Sequence, residues 1–100
     1  MFENTIAAIS TSLQDGAISI IRLSGDQAIE ITQKLFDRNI TGAKSHTIHY
    51  GFIIDQDKNP VDEVLISIFR APKTYTREDI VEINCHGGTF ITRKILSMVL

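Results

Sequence analysis

Residues 61–69 read VDEVLISIF, and this stretch decides the fold because both of its sides are apolar. In an extended chain, successive side chains point to opposite faces of the sheet. The two sides are Val64, Ile66, Ile68 and Leu65, Ser67, Phe69. A strand that is apolar on both sides is typical of the middle of a sheet. The sequence therefore predicts a sheet in which this segment is a central strand.

Two further strands are predicted next to this segment in the chain. Residues 47–54 form an apolar run, which the turn-rich hexapeptide DQDKNP separates from residues 61–69. Residues 80–85 alternate in character, with Glu82 and Asn84 on one side. We expect all three strands to share one sheet.

Two strands are also predicted near the start. Residues 5–10 are a short apolar run, and residues 17–23 are rich in Ile and bounded by glycines. Turn-forming residues lie between them, so the two strands are expected to form a hairpin. Alternation places Arg22 on the same side as Ile20.

The first helix is predicted to follow Ser24 and Gln27, which have the spacing of a capping box. Its inward stripe comprises Ala28, Ile31 and Leu35, with Phe36 beside it. We expect this helix to end near residues 37–39.

The last quarter of the chain is predicted to contain a loop and a second helix. Residues 72–79 read as a loop with one helical turn, for which Thr76 is the expected N-cap. Residues 89–100 read as a helix whose inward positions are Ile91, Ile95 and Met98 or Val99.

The element order is therefore strand–strand–helix–strand–strand–strand–helix. It predicts an α+β fold with helices packed on a mixed, mainly antiparallel sheet. A length of 100 residues corresponds to one domain, residues 1–100. Because the sequence stops inside a helix without a Gly or Asn cap, we expect the domain to be truncated at its C-terminal end.

Composition narrows the classes of function. The net charge of −2 argues against a direct nucleic-acid site, which would show a basic excess. No apolar run approaches the roughly 20 residues that span a bilayer, and no secretory signal is visible, so no membrane partner is expected. One cysteine cannot form an internal disulfide, which is typical of a cytoplasmic protein.

Two charged residues in apolar strands are the candidate site residues. Glu82 is interpreted either as an edge or solvent-facing residue, or as a carboxylate that accepts two adjacent N–H donors of a ligand such as an amino-pyrimidinone ring. Arg22 is interpreted either as a solvated or ion-paired side chain, or as a donor to a ligand carbonyl or carboxylate. If Arg22 and Glu82 lie in one apolar pocket, the ligand interpretation is favoured.

The remaining polar residues give weaker indications of a functional site. His86-Gly87-Gly88 could present N–H groups to an anion, but a structural role for the glycines is favoured. Cys85 and His86 adjoin and so point to opposite sides of a strand, which disfavours a nucleophile–base pair. No metal-ligand spacing is present, and no catalytic site is expected. Five basic residues are predicted to be solvated: Arg70, Lys73, Arg77, Arg93 and Lys94.

Three segments resemble a known family. Residues 15–25, DGAISIIRLSG, are similar to a GAIAIIRLSG signature, and residues 71–88, APKTYTREDIVEINCHGG, are similar to APKTFTREDVVEINCHGG. Residues 44–51, KSHTIHYG, resemble the same family's middle segment. The family is the amino-terminal domain of the MnmE (TrmE) tRNA-modification GTPases. One departure is TSLQD at residues 11–15, where the family often has a loop containing Pro-Pro-Gly.

The resemblance implies a domain akin to the folate-binding part of aminomethyltransferases. Such a domain binds 5-formyltetrahydrofolate or a related one-carbon tetrahydrofolate and forms a homodimer. The family's folate-contacting arginine falls on Arg22 and its glutamate on Glu82, whereas a further lysine contact falls beyond Leu100.

For the full-length protein, the resemblance implies a helical domain and a potassium-activated GTPase domain that holds GTP and Mg²⁺. It also implies a partner, MnmG (GidA), with which the protein modifies the wobble uridine of certain tRNAs. None of those parts lies within residues 1–100.

Three functions remain open from the sequence. The first is a folate-binding and dimerising domain. The second is a purely structural dimerisation domain with a vestigial pocket. The third, which strand alternation disfavours, is an independent enzyme that uses Cys85, His86 and Glu82.

Overall fold

The computed structural model describes residues 5–11, 18–72, 74 and 77–100. Within these ranges the elements follow the predicted order of strands and helices. Their bounds are β1 Ile6–Ile9, β2 Ser19–Ser24, α1 Ala28–Gln33, β3 Thr47–Ile54, β4 Pro60–Phe69, β5 Ile80–Cys85 and α2 Gly88–Val99.

The five strands form one sheet in the order β1-β2-β5-β4-β3, and every neighbouring pair is antiparallel. The prediction of an α+β fold is confirmed, as is the hairpin between the first two strands. The strand that residues 61–69 predicted lies inside the sheet, between β5 and β3. Both of its edges are therefore paired, as expected for an inner strand.

Both helices pack on one side of the sheet, which we call the helix side. The core on this side is formed by residues from all three inner strands and from α1 and α2. Its members include Ile21, Leu23, Ala28, Val64, Ile66, Ile68, Val81, Ile83, Cys85 and Ile95. At about 25 cal/mol per Å² of apolar surface, burying an Ile or Leu side chain stabilises the fold by about 2–3 kcal/mol.

The predicted capping box at Ser24 is wrong. Ser24 is the last residue of β2, paired with Ile80 of β5, and its hydroxyl donates to Glu78 at 3.2 Å. The sheet ladder extends to Ser24 and α1 begins only at Ala28, so Ser24 lies too far from the helix to cap it. The N-cap position of α1 is Gln27, whose own N–H donates to Thr5 Oγ1 at 3.0 Å.

The first helix also ends earlier than predicted, at Gln33. The reason is that the backbone after Gln33 forms hydrogen bonds with the edge strand β3 instead of continuing the helix. The carbonyl of Leu35 accepts a hydrogen bond from Ile54 N–H at 2.8 Å, and Asp37 N–H donates to the carbonyl of Phe52 at 3.1 Å. These sheet-type bonds draw residues 35–37 along β3 and out of the helical conformation.

The inward stripe of α1 is shifted from the prediction as well. Ala28, Ile29 and Thr32 are buried, whereas Ile31 and Leu35 are half-buried. Thr32 can be buried because its hydroxyl donates to the carbonyl of Ala28 at 2.9 Å.

The second helix matches its prediction. Ile95 and Val99 are buried and Ile91 and Met98 are half-buried. The predicted helical turn capped by Thr76 and the TSLQD segment lie largely outside the described ranges. Across the ranges that are described, no helix combines the length and apolar character that crossing a bilayer requires.

Candidate functional site

The side of the sheet opposite the helices, which we call the open face, carries the candidate residues. The described part of the chain places no helix on it. Its members alternate with the core residues along each strand: Ile6, Ala8, Ile20, Arg22, Ile48, Tyr50, Phe52, Leu65, Ser67, Phe69, Ile80, Glu82 and Asn84. Several are large and apolar yet exposed, including Ile6 at 65% and Ile48 at 67%.

Arg22 and Glu82 lie next to each other on this face. They are direct cross-strand partners on β2 and β5, although 60 positions separate them in the chain. Arg22 Nε donates to Glu82 Oε2 at 2.9 Å, and a terminal nitrogen of Arg22 donates to the same oxygen at 2.6 Å. The side chain of Arg22 is 46% exposed and that of Glu82 is 21% exposed.

This geometry excludes an edge position for Glu82 and leaves its solvent-facing and ligand interpretations open. Glu82 lies on β5, the third of five strands, so it is not an edge residue. Arg22 is ion-paired, as one of its interpretations predicted. Glu82 Oε1 accepts no hydrogen bond from any described residue, so one of its two carboxylate oxygens is available to a ligand.

Two more polar residues continue this row along β5. Asn84 is half-buried between its cross-strand partners, Ile20 and Leu65. Beyond the end of the strand, the Nδ1–H of His86 donates to the carbonyl of Glu63 at 2.9 Å, because that carbonyl can only accept. The other ring nitrogen, Nε2, therefore carries the lone pair when His86 is neutral.

A recess of about 200 Å³ adjoins this row. It is lined by Tyr50, Glu63, Val64, Leu65 and His86. The hydroxyl of Tyr50 donates to the carboxylate of Glu63, and this hydrogen bond raises the pKa of Tyr50. The sequence analysis singled out neither Tyr50 nor Glu63, because only the pairing of β3 with β4 brings them together.

Two larger recesses lie beside the outer strand β3. One, of about 540 Å³, is lined by Phe36, Asp37, Phe52, Ile54, Lys58 and Pro60. The other, of about 350 Å³, is lined by Lys34, Leu35, Ile54, Asp55, Gln56, Lys94 and Met98. Neither recess is lined by Arg22 or Glu82. A search for a binding site by cavity size alone would therefore not select this pair.

The turn between β5 and α2 has a structural role. Asp62 Oδ2 accepts hydrogen bonds from His86 N–H at 2.8 Å and from Gly87 N–H at 3.1 Å. A carboxylate of the chain itself thus occupies the place that an anion would take. A Cβ on Gly87 would lie 2.7 Å from Ile91, which is why this tight passage requires glycine.

Cys85 and His86 lie on opposite sides of the sheet. Cys85 is fully buried on the helix side, whereas His86 is exposed. Burial raises the pKa of the Cys85 thiol to about 12, so the thiolate that a nucleophile needs is not formed near neutral pH. Within the described residues, no three His, Cys, Asp or Glu side chains come together as a metal site.

The prediction that Arg70 is solvated is wrong. It is half-buried, with its Nε donating to the carbonyl of Ala43 at 2.6 Å and a terminal nitrogen to the carbonyl of Thr41 at 2.9 Å. The reason is that β4 ends beside the connection that enters β3. Arg77, Arg93 and Lys94 are exposed as predicted, and Lys73 lies outside the described residues.

Comparison with known proteins agrees with the family resemblance of these motifs. The family described as "GTP-binding protein TrmE N-terminus" matches residues 5–100. The chain is 57% identical over 99 residues to the tRNA modification GTPases MnmE of Bacillus cytotoxicus, Bacillus mycoides and Lactobacillus johnsonii. Each match covers 97% of this chain and 22% of the relative, so the chain spans about a fifth of the length of these relatives. With a family match over nearly every residue and a majority of positions identical, this chain belongs to the N-terminal domain family of the TrmE/MnmE tRNA-modification GTPases.

Proposed function

We propose that this chain is the domain of a tRNA-modification GTPase that binds a one-carbon tetrahydrofolate of the 5-formyl type and forms a homodimer. The observation that carries the proposal is the Arg22–Glu82 pair on an open face that is largely apolar. These two residues also lie in the two segments that most resemble the family's signatures.

The residues present fit a folate. The amino-pyrimidinone end of folate has adjacent N–H donors, and a carboxylate is the acceptor that matches them. Glu82 Oε1 accepts no hydrogen bond from the described residues, and Ile20 and Leu65, which lie diagonal to Glu82 on the neighbouring strands, offer apolar surface to a flat ring. When bound, the folate would supply a one-carbon unit to the reaction of the full-length protein.

Arg22 has two roles in this proposal. Without ligand, its two hydrogen bonds to Oε2 hold the Glu82 carboxylate in place. An exposed ion pair contributes only about 0–1 kcal/mol, so the guanidinium can be redirected toward a ligand carbonyl or carboxylate at little cost.

Isothermal titration calorimetry with 5-formyltetrahydrofolate tests the site. We expect Glu82→Ala and Arg22→Ala each to weaken binding at least about tenfold, which corresponds to about 1.4 kcal/mol. Glu30→Ala is a matched control, since Glu30 is exposed on α1 on the helix side and should leave affinity unchanged. Unchanged affinity in both site variants would remove Arg22 and Glu82 from the site.

The open face also supports the proposed homodimer. Three of its large side chains are at least half exposed: Ile48 and Tyr50 on one edge strand, β3, and Ile6 on the other, β1. Exposed apolar surface of this kind marks interaction sites. A second copy of the chain is the partner that the family resemblance implies. We expect Ile48→Asp to shift the protein toward monomer in sedimentation velocity, whereas Phe90→Asp, an exposed apolar residue on α2, should not.

The same surface also favours the second candidate function, a structural dimerisation domain with a vestigial pocket. That function predicts the same dimer but no measurable binding of 5-formyltetrahydrofolate. Dimers of the wild-type protein without folate binding would therefore establish the structural function over the folate-binding one.

The broader role is proposed for the full-length protein. It comprises wobble-uridine modification of tRNA in the cytoplasm with an MnmG partner, driven by a GTPase domain that holds GTP, Mg²⁺ and K⁺. This chain contributes no nucleic-acid site to that proposal, which is consistent with its net charge of −2.

A further inference from the structure

Asn84 has a side chain with unused hydrogen-bonding capacity. It lies on the open face of the central strand β5, half-buried between Ile20 and Leu65. Its amide makes no hydrogen bond with any described residue, so these residues occupy neither its two N–H groups nor its carbonyl oxygen. The residue therefore adds polarity to a largely apolar surface without satisfying another group of the described structure.

The position of Asn84 relative to Glu82 is set by strand geometry. Residues two apart on a strand share a side and lie roughly 6.8 Å apart. Glu82 Oε1 and the Asn84 amide are thus consecutive unoccupied polar groups on one strand, and the recess over Leu65 lies beyond them. A ligand held by Glu82 and extending along β5 passes over Asn84 before it reaches that recess.

We propose that Asn84 determines the specificity of the folate site by donating a side-chain N–H to the oxygen of the ligand's N-formyl group. This inference rests on the folate-binding function proposed above. The formyl nitrogen lies across one bicyclic ring from the amino-pyrimidinone edge that Glu82 accepts. The benzamide carbonyl of folate lies a whole benzene ring farther away, beyond the reach of a single two-residue step along the strand.

The effect is one of discrimination between ligands. A hydrogen bond to a neutral group contributes about 0.5–1.5 kcal/mol, so a formyl ligand should bind roughly three- to tenfold more tightly than the same ligand without its formyl group. A ligand that lacks the formyl oxygen leaves the Asn84 amide to water, as in the free protein.

Calorimetric titration of the purified protein with three ligands tests this role. The ligands are 5-formyltetrahydrofolate, tetrahydrofolate and 5-formyl-6-methyltetrahydropterin, which has the formyl group but no benzamide. Asn84→Leu removes both donor and acceptor and keeps the branched shape of the side chain, and Asn84→Asp keeps an acceptor but no donor. Ser67→Ala is the control, because Ser67 neighbours Glu82 on the same face from β4.

We expect both Asn84 variants to bind the two formyl ligands roughly three- to tenfold more weakly and tetrahydrofolate less than about twofold more weakly. The Ser67→Ala variant should keep the wild-type preference. Far-ultraviolet circular dichroism confirms that each variant is folded.

Three results would overturn the proposal. If both folded variants keep the wild-type preference for formyl ligands, Asn84 does not contact the formyl group. Folate binding at Arg22 and Glu82 is unaffected by that result. If they weaken 5-formyltetrahydrofolate and tetrahydrofolate equally but not the pterin, the benzamide carbonyl is the group contacted. If the wild-type protein binds none of the three ligands, the proposed folate function itself fails.

Discussion

Arg22 directs both of its hydrogen bonds to the same oxygen of Glu82, at 2.9 and 2.6 Å, and leaves the other carboxylate oxygen without a partner in the described structure. The two residues face each other across neighbouring strands on a side of the sheet that the helices do not cover. This arrangement fixes the orientation of the carboxylate, and one of its two oxygens accepts no hydrogen bond from the described residues.

Replacing either partner of this pair should scarcely change stability. The pair is exposed to solvent, so screening limits its contribution to about 0–1 kcal/mol. We expect Arg22→Gln and Glu82→Gln to lower the free energy of unfolding in urea by less than about 1 kcal/mol. A loss above about 2 kcal/mol would show that the pair is a structural element, and binding defects in its variants would then need another explanation.

Gly87→Ala should destabilise the protein, because the new Cβ would lie 2.7 Å from Cβ of Ile91 on α2. Crowding of this kind costs about 1–3 kcal/mol. The matched control is Gly42→Ala, where an added Cβ meets nothing within 4 Å. Urea denaturation should separate the two variants, and equal midpoints would mean that α2 can shift to accept the methyl group.

Arg70→Lys should loosen the connection before β3. Lysine keeps the charge but lacks the planar fork that reaches the carbonyls of Thr41 and Ala43. We expect a loss of about 1–2 kcal/mol in the free energy of unfolding and faster amide hydrogen exchange in residues 41–46. Arg93→Lys, on the exposed face of α2, serves as the control and should change neither quantity.

Cys85 should be inert in the folded protein. Its thiol is fully buried and its pKa is raised to about 12, so a dithionitrobenzoate reagent should modify it slowly in buffer and rapidly in urea. A cysteine placed at the exposed position of Ser97, in a Cys85→Ser background, should react rapidly in both. Rapid modification of native Cys85 would contradict its buried placement.

The same thiol makes stability depend on pH in a defined direction. The folded-state pKa of about 12 lies above the ordinary value of 9.0. Between these two values the unfolded chain has released a proton that the folded chain retains, so the free energy of unfolding falls as pH rises from about 9 toward 12. Replacement of Cys85 by Ala should remove this contribution, as seen by comparing urea midpoints at pH 8 and about pH 10.5 with the wild type.

Local pattern predicted most of the elements. Thr47–Ile54 and Ile80–Cys85 have the predicted bounds, and the alternation of Val64, Ile66 and Ile68 identified an inner strand. Local pattern failed where a distant strand competed with it. Ser24 was predicted to cap α1 but pairs with Ile80 of β5. The helix α1 ends at Gln33 because residues 35–37 form backbone hydrogen bonds with β3.

The candidate site was predicted in part for the same reason. Arg22 and Glu82 stand out in the sequence because a charged residue in an apolar strand is uncommon. Asn84, Glu63 and Tyr50 do not stand out, since each is an ordinary polar residue until strand pairing places it beside the others.

By itself, the amino-acid sequence determined the succession of strands and helices, the side on which each strand residue lies, and the family to which the chain belongs. These properties follow from period-two and period-3.6 patterns and from motifs within short stretches, which need no distant partner. Only the tertiary structure decided the strand order β1-β2-β5-β4-β3, the contact between Arg22 and Glu82, and the anchoring of residues 41–43 by Arg70. Those contacts join residues tens of positions apart, and they depend on which long-range strand pairing has the lowest free energy for the chain as a whole.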